Sequence, residues 1–231
     1  MIKKSTFLLV ALSSVYSFSQ TSHVDLPNVS DVAVTMPVSH PQHSTSVTVV
    51  RGPYLQSGTP TSVVVKWRTD IATESVVHYG KSLKSLSKKA SSNNVTTEHE
   101  VALSGLSPNT KYYFNIGNKA GVLSESVSGE MYIITAPKAG TKQFVRAWIL
   151  GDAGTANNNQ RNVRDAYYDY VDAAPKNSGK TDMMLFLGDN AYGSGTDEQY
   201  QNALFDIYDD MLKKSVAWSC LGNHDGKSAD S

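Results

Sequence analysis

Between Val47 and Pro137, short stretches rich in β-branched and aromatic residues alternate with turn-forming residues. The first residue types favour strands, whereas Gly, Pro and Asn in the connections favour tight turns. Short strands at this spacing predict an antiparallel β-sandwich of about 90 residues. We expect Trp67 and either Tyr112 or Tyr113 to be core aromatics. The predicted strands are Ser62–Trp67, Glu74–Tyr79, Glu98–Leu103, Lys111–Ile116 and Met131–Thr135.

A Gly-, Ala- and Lys-rich junction at residues 138–142 marks a change of period. Beyond it, apolar strand-like segments alternate with segments of helical periodicity, which predicts right-handed parallel crossovers. A first helix is predicted over Asn159–Ala174, and Thr196 or Asp197 could cap a second. The predicted strands are Phe144–Leu150, Met183–Leu187 and Val216–Leu221. The apolar positions are Val163, Ala166, Tyr167, Tyr170, Val171 and Ala174 in the first helix, and Tyr200, Ala203, Leu204, Ile207, Tyr208 and Met211 in the second.

The beginning of the chain has the three regions of a secretory signal peptide in their usual order. Lys3 and Lys4 come first, a mostly apolar run from Phe7 to Val15 follows, and small residues precede Gln20. The run is too short to span a bilayer. We therefore predict a signal peptide over residues 1–19; the alternative is a buried N-terminal strand.

Composition narrows the classes of protein and partner. The chain is 40% hydrophobic and 18% charged, which is typical of a folded globular protein, and its formal net charge is zero. Zero net charge gives no electrostatic argument for a nucleic acid or membrane partner. The single cysteine, Cys220, excludes an intrachain disulfide, and none lies near residue 20 to carry a lipid anchor. We expect a secreted or periplasmic protein.

Residues 20–46 are rich in Ser, Thr, Pro, Val and His and show no period, so we interpret them as a linker. Their three histidines match no metal-ligand spacing. The sandwich is then assigned to residues 47–137 and the α/β part to residues 143–231.

Each predicted parallel strand ends in a glycine followed by a polar side chain. The three endings read Gly-Asp-Ala-Gly from Gly151, Gly-Asp-Asn-Ala-Tyr from Gly188 and Gly-Asn-His-Asp from Gly222. Ligand sites form at the carboxyl ends of parallel strands, where the three segments would meet. Two carboxylates, an amide oxygen and a phenol are hard oxygen ligands suited to di- or trivalent metals. One such ending alone is more often a turn or a helix cap, but three in succession favour a metal site.

In this order, the three endings resemble the first three blocks of the calcineurin-like metallophosphoesterases. The tyrosine of the second block narrows the resemblance to the purple acid phosphatases. The segments "RGPYLQSGTPTSVVVKWRTD" and "HEVALSGLSPNTKYYFNIG" resemble the fibronectin-III-like N-terminal domain of secreted members. The fold class is therefore predicted as an all-β sandwich N-terminal domain plus the first half of an α/β metallophosphoesterase domain.

The resemblance implies a binuclear metal centre and a role for each residue of the three blocks. Asp152 and the phenolate of Tyr192 would bind Fe(III), Asp189 would bridge both ions, and Asn223 would bind the second ion. That second ion is Fe, Zn or Mn in relatives. The reaction implied is acid phosphatase activity, in which a metal-activated hydroxide attacks a small phosphate monoester.

The same resemblance assigns catalytic roles to two residues of the third block. His224 would contact the phosphate or assist the leaving group. Asp225 would hold the imidazole of His224 in its working orientation.

The family's site also needs three histidines from later blocks, and this sequence does not contain them. His78 and His99 are on predicted strands of the sandwich and cannot substitute. We therefore expect the sequence to be a fragment that is inactive or poorly active alone. The alternative is a secreted fibronectin-like binding module joined to an inactive phosphatase remnant. The natural substrate, the second metal and the oligomeric state are left open.

Overall fold

The computed structural model describes residues 46–174 and 180–228. The predicted signal peptide, all of the predicted linker except Ser46, and Pro175 lie outside these residues. Within them, no helix is long and apolar enough to cross a membrane.

The first part of the chain forms antiparallel strands around one hydrophobic core. β2 has 18 residues and unites two of the predicted strands with the segment between them; register shifts between Arg68 and Ser75 separate its two halves. The first half of β2 pairs with β1 and the second half pairs with β4, while β3 pairs with both halves of β2. The strands are β1 (Val49–Gln56), β2 (Val63–Gly80), β3 (Lys88–Leu103), β4 (Lys111–Gly117), β5 (Val122–Ser124) and β6 (Tyr132–Ile134).

Alternating inward side chains of these strands build the core, as expected of a half-buried sheet. Trp67 and Tyr112 are both 1% exposed, which confirms two of the predicted core aromatics, whereas Tyr113 is only half-buried. Other fully buried members include Val65, Leu103, Phe114, Ile116 and Ile133.

His99 lies in this core, stacked on the indole of Trp67 with ring centroids 4.7 Å apart. The hydroxyl of Thr69 donates to the carbonyl of Ile71, so its oxygen accepts from Nε2–H of His99 at 2.8 Å. Nδ1 then accepts from the hydroxyl of Ser75, also at 2.8 Å. These bonds assign the neutral Nε2–H tautomer, and burial lowers the pKa of His99, against a smaller opposing effect of Glu98.

This buried imidazole makes the stability of the chain depend on pH. Because its pKa is lower in the folded than in the unfolded chain, the unfolded chain binds more protons at intermediate pH. The free energy of unfolding should therefore fall as pH drops below about 6.5, the ordinary histidine pKa. Urea denaturation of the wild type and of His99→Gln, from about pH 8 to about pH 5, checks this. The variant should lose part of the pH slope, and an unchanged slope would contradict the assignment.

The second part of the chain forms the predicted parallel strands with helical connections. β7, β8 and β9 lie side by side in the sheet in the same order as in the sequence, and neighbouring strands are parallel. This sheet joins the first part of the chain where Leu55 of β1 pairs with Val216 of β9. The elements are β7 (Ala147–Leu150), α1 (Asn158–Asp172), β8 (Met183–Phe186), α2 (Asp197–Tyr200), a π-helix (Gln201–Phe205), α3 (Asp209–Leu212), β9 (Val216–Ser219) and a 3-10 helix (Asp225–Ser228).

The predicted second helix is broken into three pieces, but its apolar face is the predicted one. Ala203, Leu204, Ile207, Tyr208 and Met211 are all buried, and all of them except Ala203 belong to the apolar cluster that contains Trp148, Met184 and Phe186 of the strands. Thr196 is the N-cap, and with Gln199 it forms a capping box. Asp197 is thus the first helical residue rather than the cap.

The predicted apolar face of α1 is partly wrong. Val163 and Tyr170 are exposed, whereas the buried residues are Val171 and the polar Gln160. The side-chain amide of Gln160 donates to the carbonyl of Ala203 at 2.7 Å and to the hydroxyl of Tyr208 at 3.2 Å. Hydrogen bonds to the neighbouring helical segment, rather than apolar burial alone, therefore set the rotation of α1.

Candidate metal centre

Three loops follow the parallel strands and meet at one edge of the sheet, as the sequence predicts. We call them the first loop (residues 151–157), the second loop (residues 187–196) and the third loop (residues 220–228). Backbone hydrogen bonds link the first two: the N–H of Gly154 donates to the carbonyl of Asp189 at 3.0 Å, and that of Tyr192 donates to the carbonyl of Gly154 at 2.8 Å.

Glycines let these loops approach closely. A Cβ on Gly154 would lie well inside 3.0 Å of the backbone of Asn190 and Ala191. A Cβ on Gly222 would lie equally close to the carboxylate oxygen and backbone nitrogen of Asp189. Contacts of this length do not occur, so the first and third loops can touch the second only because these two side chains are missing.

Both carboxylates of the candidate centre lie on residues with left-handed backbone. Asp152 has φ of 53° and Asp189 has φ of 51°. This region is unfavourable for residues with a Cβ, although Asp tolerates it better than most. Such strain persists where the surrounding structure holds the residue, and it clusters at functional sites.

The phenol of Tyr192 lies between these two carboxylates. Its hydroxyl is 2.9 Å from Oδ1 of Asp152 and 3.1 Å from Oδ2 of Asp189. The hydrogen bond to Asp152, with burial and the bond to Asp189, raises the pKa of the Tyr192 phenol well above its ordinary value. Without a cation the phenol therefore stays protonated, and three oxygens converge on one point.

His224 of the third loop also contacts the second loop. The backbone N–H of His224 donates to Oδ1 of Asp189 at 2.9 Å, and its imidazole lies 4.5 Å from the ring of Tyr192. Asn223 precedes it in the third loop and is exposed. Five of the six predicted site residues are thus tied to the second loop or to one another by direct contacts.

The role expected for Asp225 differs from what the structure shows. Its carboxylate is 3% exposed and accepts from the backbone N–H groups of Asn190, Ala191 and Gly222 at 2.9 to 3.1 Å. It also accepts from the side-chain amide of Asn190 at 2.9 Å. Burial raises the pKa of Asp225, but the bonds from these backbone groups outweigh it and hold the pKa below its ordinary value. Asp225 therefore fastens the second loop to the third.

The imidazole of His224 is instead contacted by two groups that the sequence reasoning missed. Nδ1 is 2.9 Å from the carbonyl oxygen of Gly193 and 3.0 Å from Nζ of Lys227. Nζ of Lys227 is also 3.3 Å from that carbonyl oxygen. The position of Lys227, three residues after His224 in a tight turn, is the signal that could have revealed it.

The donors present suit a hard, highly charged cation, because they are carboxylate, phenol and amide oxygens. Asp152, Asp189 and Tyr192 fit one such ion, and Asn223 is placed in the loop beside Asp189. Among residues 46–174 and 180–228, no three His, Cys, Asp or Glu side chains are grouped closely enough to hold a metal by themselves.

One known protein family matches the first part of the chain. The purple acid phosphatase N-terminal domain family matches residues 51–131. This confirms the resemblance stated from the sequence of the first part. No curated protein sequence matches the chain.

Two solved structures share the fold. Purple acid phosphatase PPD1 from yellow lupin (Lupinus luteus) seeds has a TM-score of 0.55 and 17% identity, covering 75% of this chain and 36% of the lupin chain. The structure of PhoD has a TM-score of 0.53 and 15% identity, covering 74% of this chain and 38% of its own. The chain thus spans little more than a third of either. At these identities the likeness shows a shared fold. That fold is the predicted one, a β-sandwich followed by the strands and helices of an α/β part.

Proposed function

We propose that this chain is part of a metal-dependent acid phosphatase, because residues 51–131 match the purple acid phosphatase N-terminal domain family. The enzyme is exported and hydrolyses small phosphate monoesters. One observation carries the proposal: the phenol of Tyr192 lies within hydrogen-bond distance of both Asp152 and Asp189. A phenol held between two carboxylates is poorly suited to act as a nucleophile. The three oxygens together are suitable ligands for a trivalent ion.

Asp152, Asp189 and Tyr192 would hold Fe(III), and Asp189 with Asn223 would hold a second ion, which is Fe, Zn or Mn. When bound, these ions supply an activated water and neutralise charge on the phosphate oxygens. The backbone N–H of His224 orients one oxygen of Asp189. The remaining oxygen of that carboxylate contacts the phenol, so both oxygens of Asp189 have fixed directions.

His224 is proposed to contact the phosphate or assist the leaving group. Nδ1 either donates to the carbonyl of Gly193 or accepts from Nζ of Lys227, depending on the tautomer, and either bond orients the ring through that atom. Nε2 is then the ring atom left to meet the substrate. The alternative, a secreted binding module with an inactive remnant, has no observation that favours it over this proposal.

Replacing Tyr192 by Phe tests the proposal without requiring turnover. The purified chain, loaded with Fe(III) alone, should show a visible phenolate-to-iron absorption band. Tyr192→Phe keeps the ring beside His224 but removes the oxygen, so the band should disappear. Because Tyr192 is only half-buried, the melting temperature of the variant should differ little from that of the wild type. Absorption spectra and thermal melts measure the two effects.

Tyr170→Phe is the matched control, because Tyr170 is 63% exposed and lies on α1 away from the loops. It should leave the band intact. Asp189→Asn should weaken iron binding itself, since it removes a charge rather than the colour-giving oxygen. An iron-loaded wild-type chain without the band would contradict the role of Tyr192.

A further inference from the structure

Two arginines of the sandwich reach across to one carboxylate at the end of the second loop. Arg51 on β1 donates from Nη1 to Oδ1 of Asp197 at 3.0 Å and from Nη2 to its carbonyl at 3.3 Å. Arg68 on β2 donates from Nη2 to the same Oδ1 at 2.9 Å and from Nη1 to Oδ2. Asp197 therefore receives four donor groups from two neighbouring strands.

The burial of Arg51 distinguishes this cluster from an ordinary surface ion pair, although the side chain of Asp197 is itself 62% exposed. Arg51 is only 7% exposed, and its Nε donates to Oε1 of Gln201 at 2.6 Å. Its guanidinium also lies 4.3 Å from the ring centre of Phe205, where a cation is attracted by the aromatic face. Planar guanidinium groups hold carboxylates in a fixed orientation, which a lysine cannot reproduce.

The π-helix completes the contact with β1. Its widened turn places Gln201 and Phe205 toward the same strand, and the ring of Phe205 lies 4.9 Å from that of Tyr54. Helical turns of this kind are frequent near functional sites. The segment from Asp197 to Phe205 is thus held on the sandwich by polar and aromatic contacts together.

Asp197 directly follows Thr196, the residue that ends the second loop and caps α2. The other end of that loop is fastened by Asp225, whose carboxylate accepts from the backbone of Asn190 and Ala191. Tyr192 lies between these two fastening points. Its position between Asp152 and Asp189 therefore depends on both of them.

We propose that Arg51 and Arg68 are positioning residues: through Asp197 they hold the second loop so that Tyr192 stays between the two carboxylates. The sandwich then has a defined part in the metal centre, although it contributes no ligand to it. The catalytic meaning of this inference rests on the proposed function, but the effect on the loop does not.

Amide hydrogen exchange of the 231-residue chain without metal tests the loop directly. The N–H of Tyr192 is bonded to the carbonyl of Gly154, and those of Ser194 and Gly195 to Gln199 and Ala191. In Arg51→Met, these three amides should exchange at least about tenfold faster, because a charge-assisted bond of a buried group is lost. Asp197→Asn, which keeps the shape of an exposed side chain, should give the same local effect if Arg51→Met folds poorly.

Lys66→Met is the matched control. Lys66 lies two residues before Arg68 on β2 and pairs with Glu100 at 3.1 Å, away from Asp197. Its variant should leave the loop amides unchanged. Acceleration spread equally over β3 and β4 would show general destabilisation, and no acceleration in the loop would show that the arginines do not hold it; either result would overturn the proposal.

Fe(III) loading adds a readout that separates this inference from the proposed function. If the wild-type chain shows the phenolate band, Arg51→Met should shift or weaken it while Lys66→Met leaves it unchanged. An unshifted band in Arg51→Met would overturn the positioning role. If the wild-type chain shows no band, the proposed function fails, and the exchange rates still decide whether the arginines hold the loop.

Discussion

Replacing Asp225 by Asn is expected to lower the free energy of unfolding by about 3 kcal/mol, because buried donors lose their acceptor. Oδ1 accepts from the backbone of Asn190 and Ala191, and an amide oxygen could keep these bonds. Oδ2 accepts from the backbone of Gly222 and the side chain of Asn190, and an amide NH₂ in its place would face two donors. Urea denaturation of wild type and variant measures the loss.

Asp152→Asn makes the same chemical change at an exposed carboxylate of the same centre. Asn tolerates the left-handed backbone of this position about as well as Asp does. Its free energy of unfolding should change by less than about 1 kcal/mol, whereas its iron binding should weaken. Equal losses of stability in the two variants would show that Asp225 is an ordinary site carboxylate rather than the residue that fastens two loops.

The elements that the sequence predicted well are those set by local periodicity. All three parallel strands and the apolar face from Ala203 to Met211 are where their patterns placed them. Three successive Gly-polar endings predicted a common edge, because parallel strands place their carboxyl ends together. The structure brings those loops into contact at that edge.

Long-range partners decided the rest. β1 was not predicted as a strand, since its glycine and proline interrupt the pattern; its pairing with β2 supplies what local propensity lacks. The rotation of α1 depends on the bonds of Gln160 to a distant helical segment, which no periodicity records.

The same limit applies to the candidate centre. The residue types of Asp152, Asp189 and Tyr192 indicated their chemistry, but the partners of Asp225 are backbone amides that carry no sequence signal. Arg51 and Arg68 are more than 120 residues from Asp197 along the chain, as the separations of 146 and 129 residues show. Only the fold brings them together.

Gly222→Ala is expected to disrupt the candidate centre more than any single ligand substitution. The added methyl group would overlap the backbone nitrogen of Asp189, which cannot move without the second loop, and the carboxylate of Asp189, which hydrogen bonds hold in place. Asp189 is 8% exposed and bonded on both oxygens, to Tyr192 and to the N–H of His224. The loops must therefore separate, which breaks these bonds and costs about 3 kcal/mol in the manner of an overpacked core.

Gly226→Ala provides the control within the same loop, because a Cβ there meets no atom within 4 Å. It should retain the wild-type melting temperature and the iron-phenolate band, whereas Gly222→Ala should lose the band and melt at a lower temperature. Amide exchange should locate the damage, with faster exchange at the N–H of His224 and at Asn190. If Gly222→Ala keeps both the band and the wild-type stability, the second and third loops are not in close contact, and the arrangement of Asp189 described above is wrong.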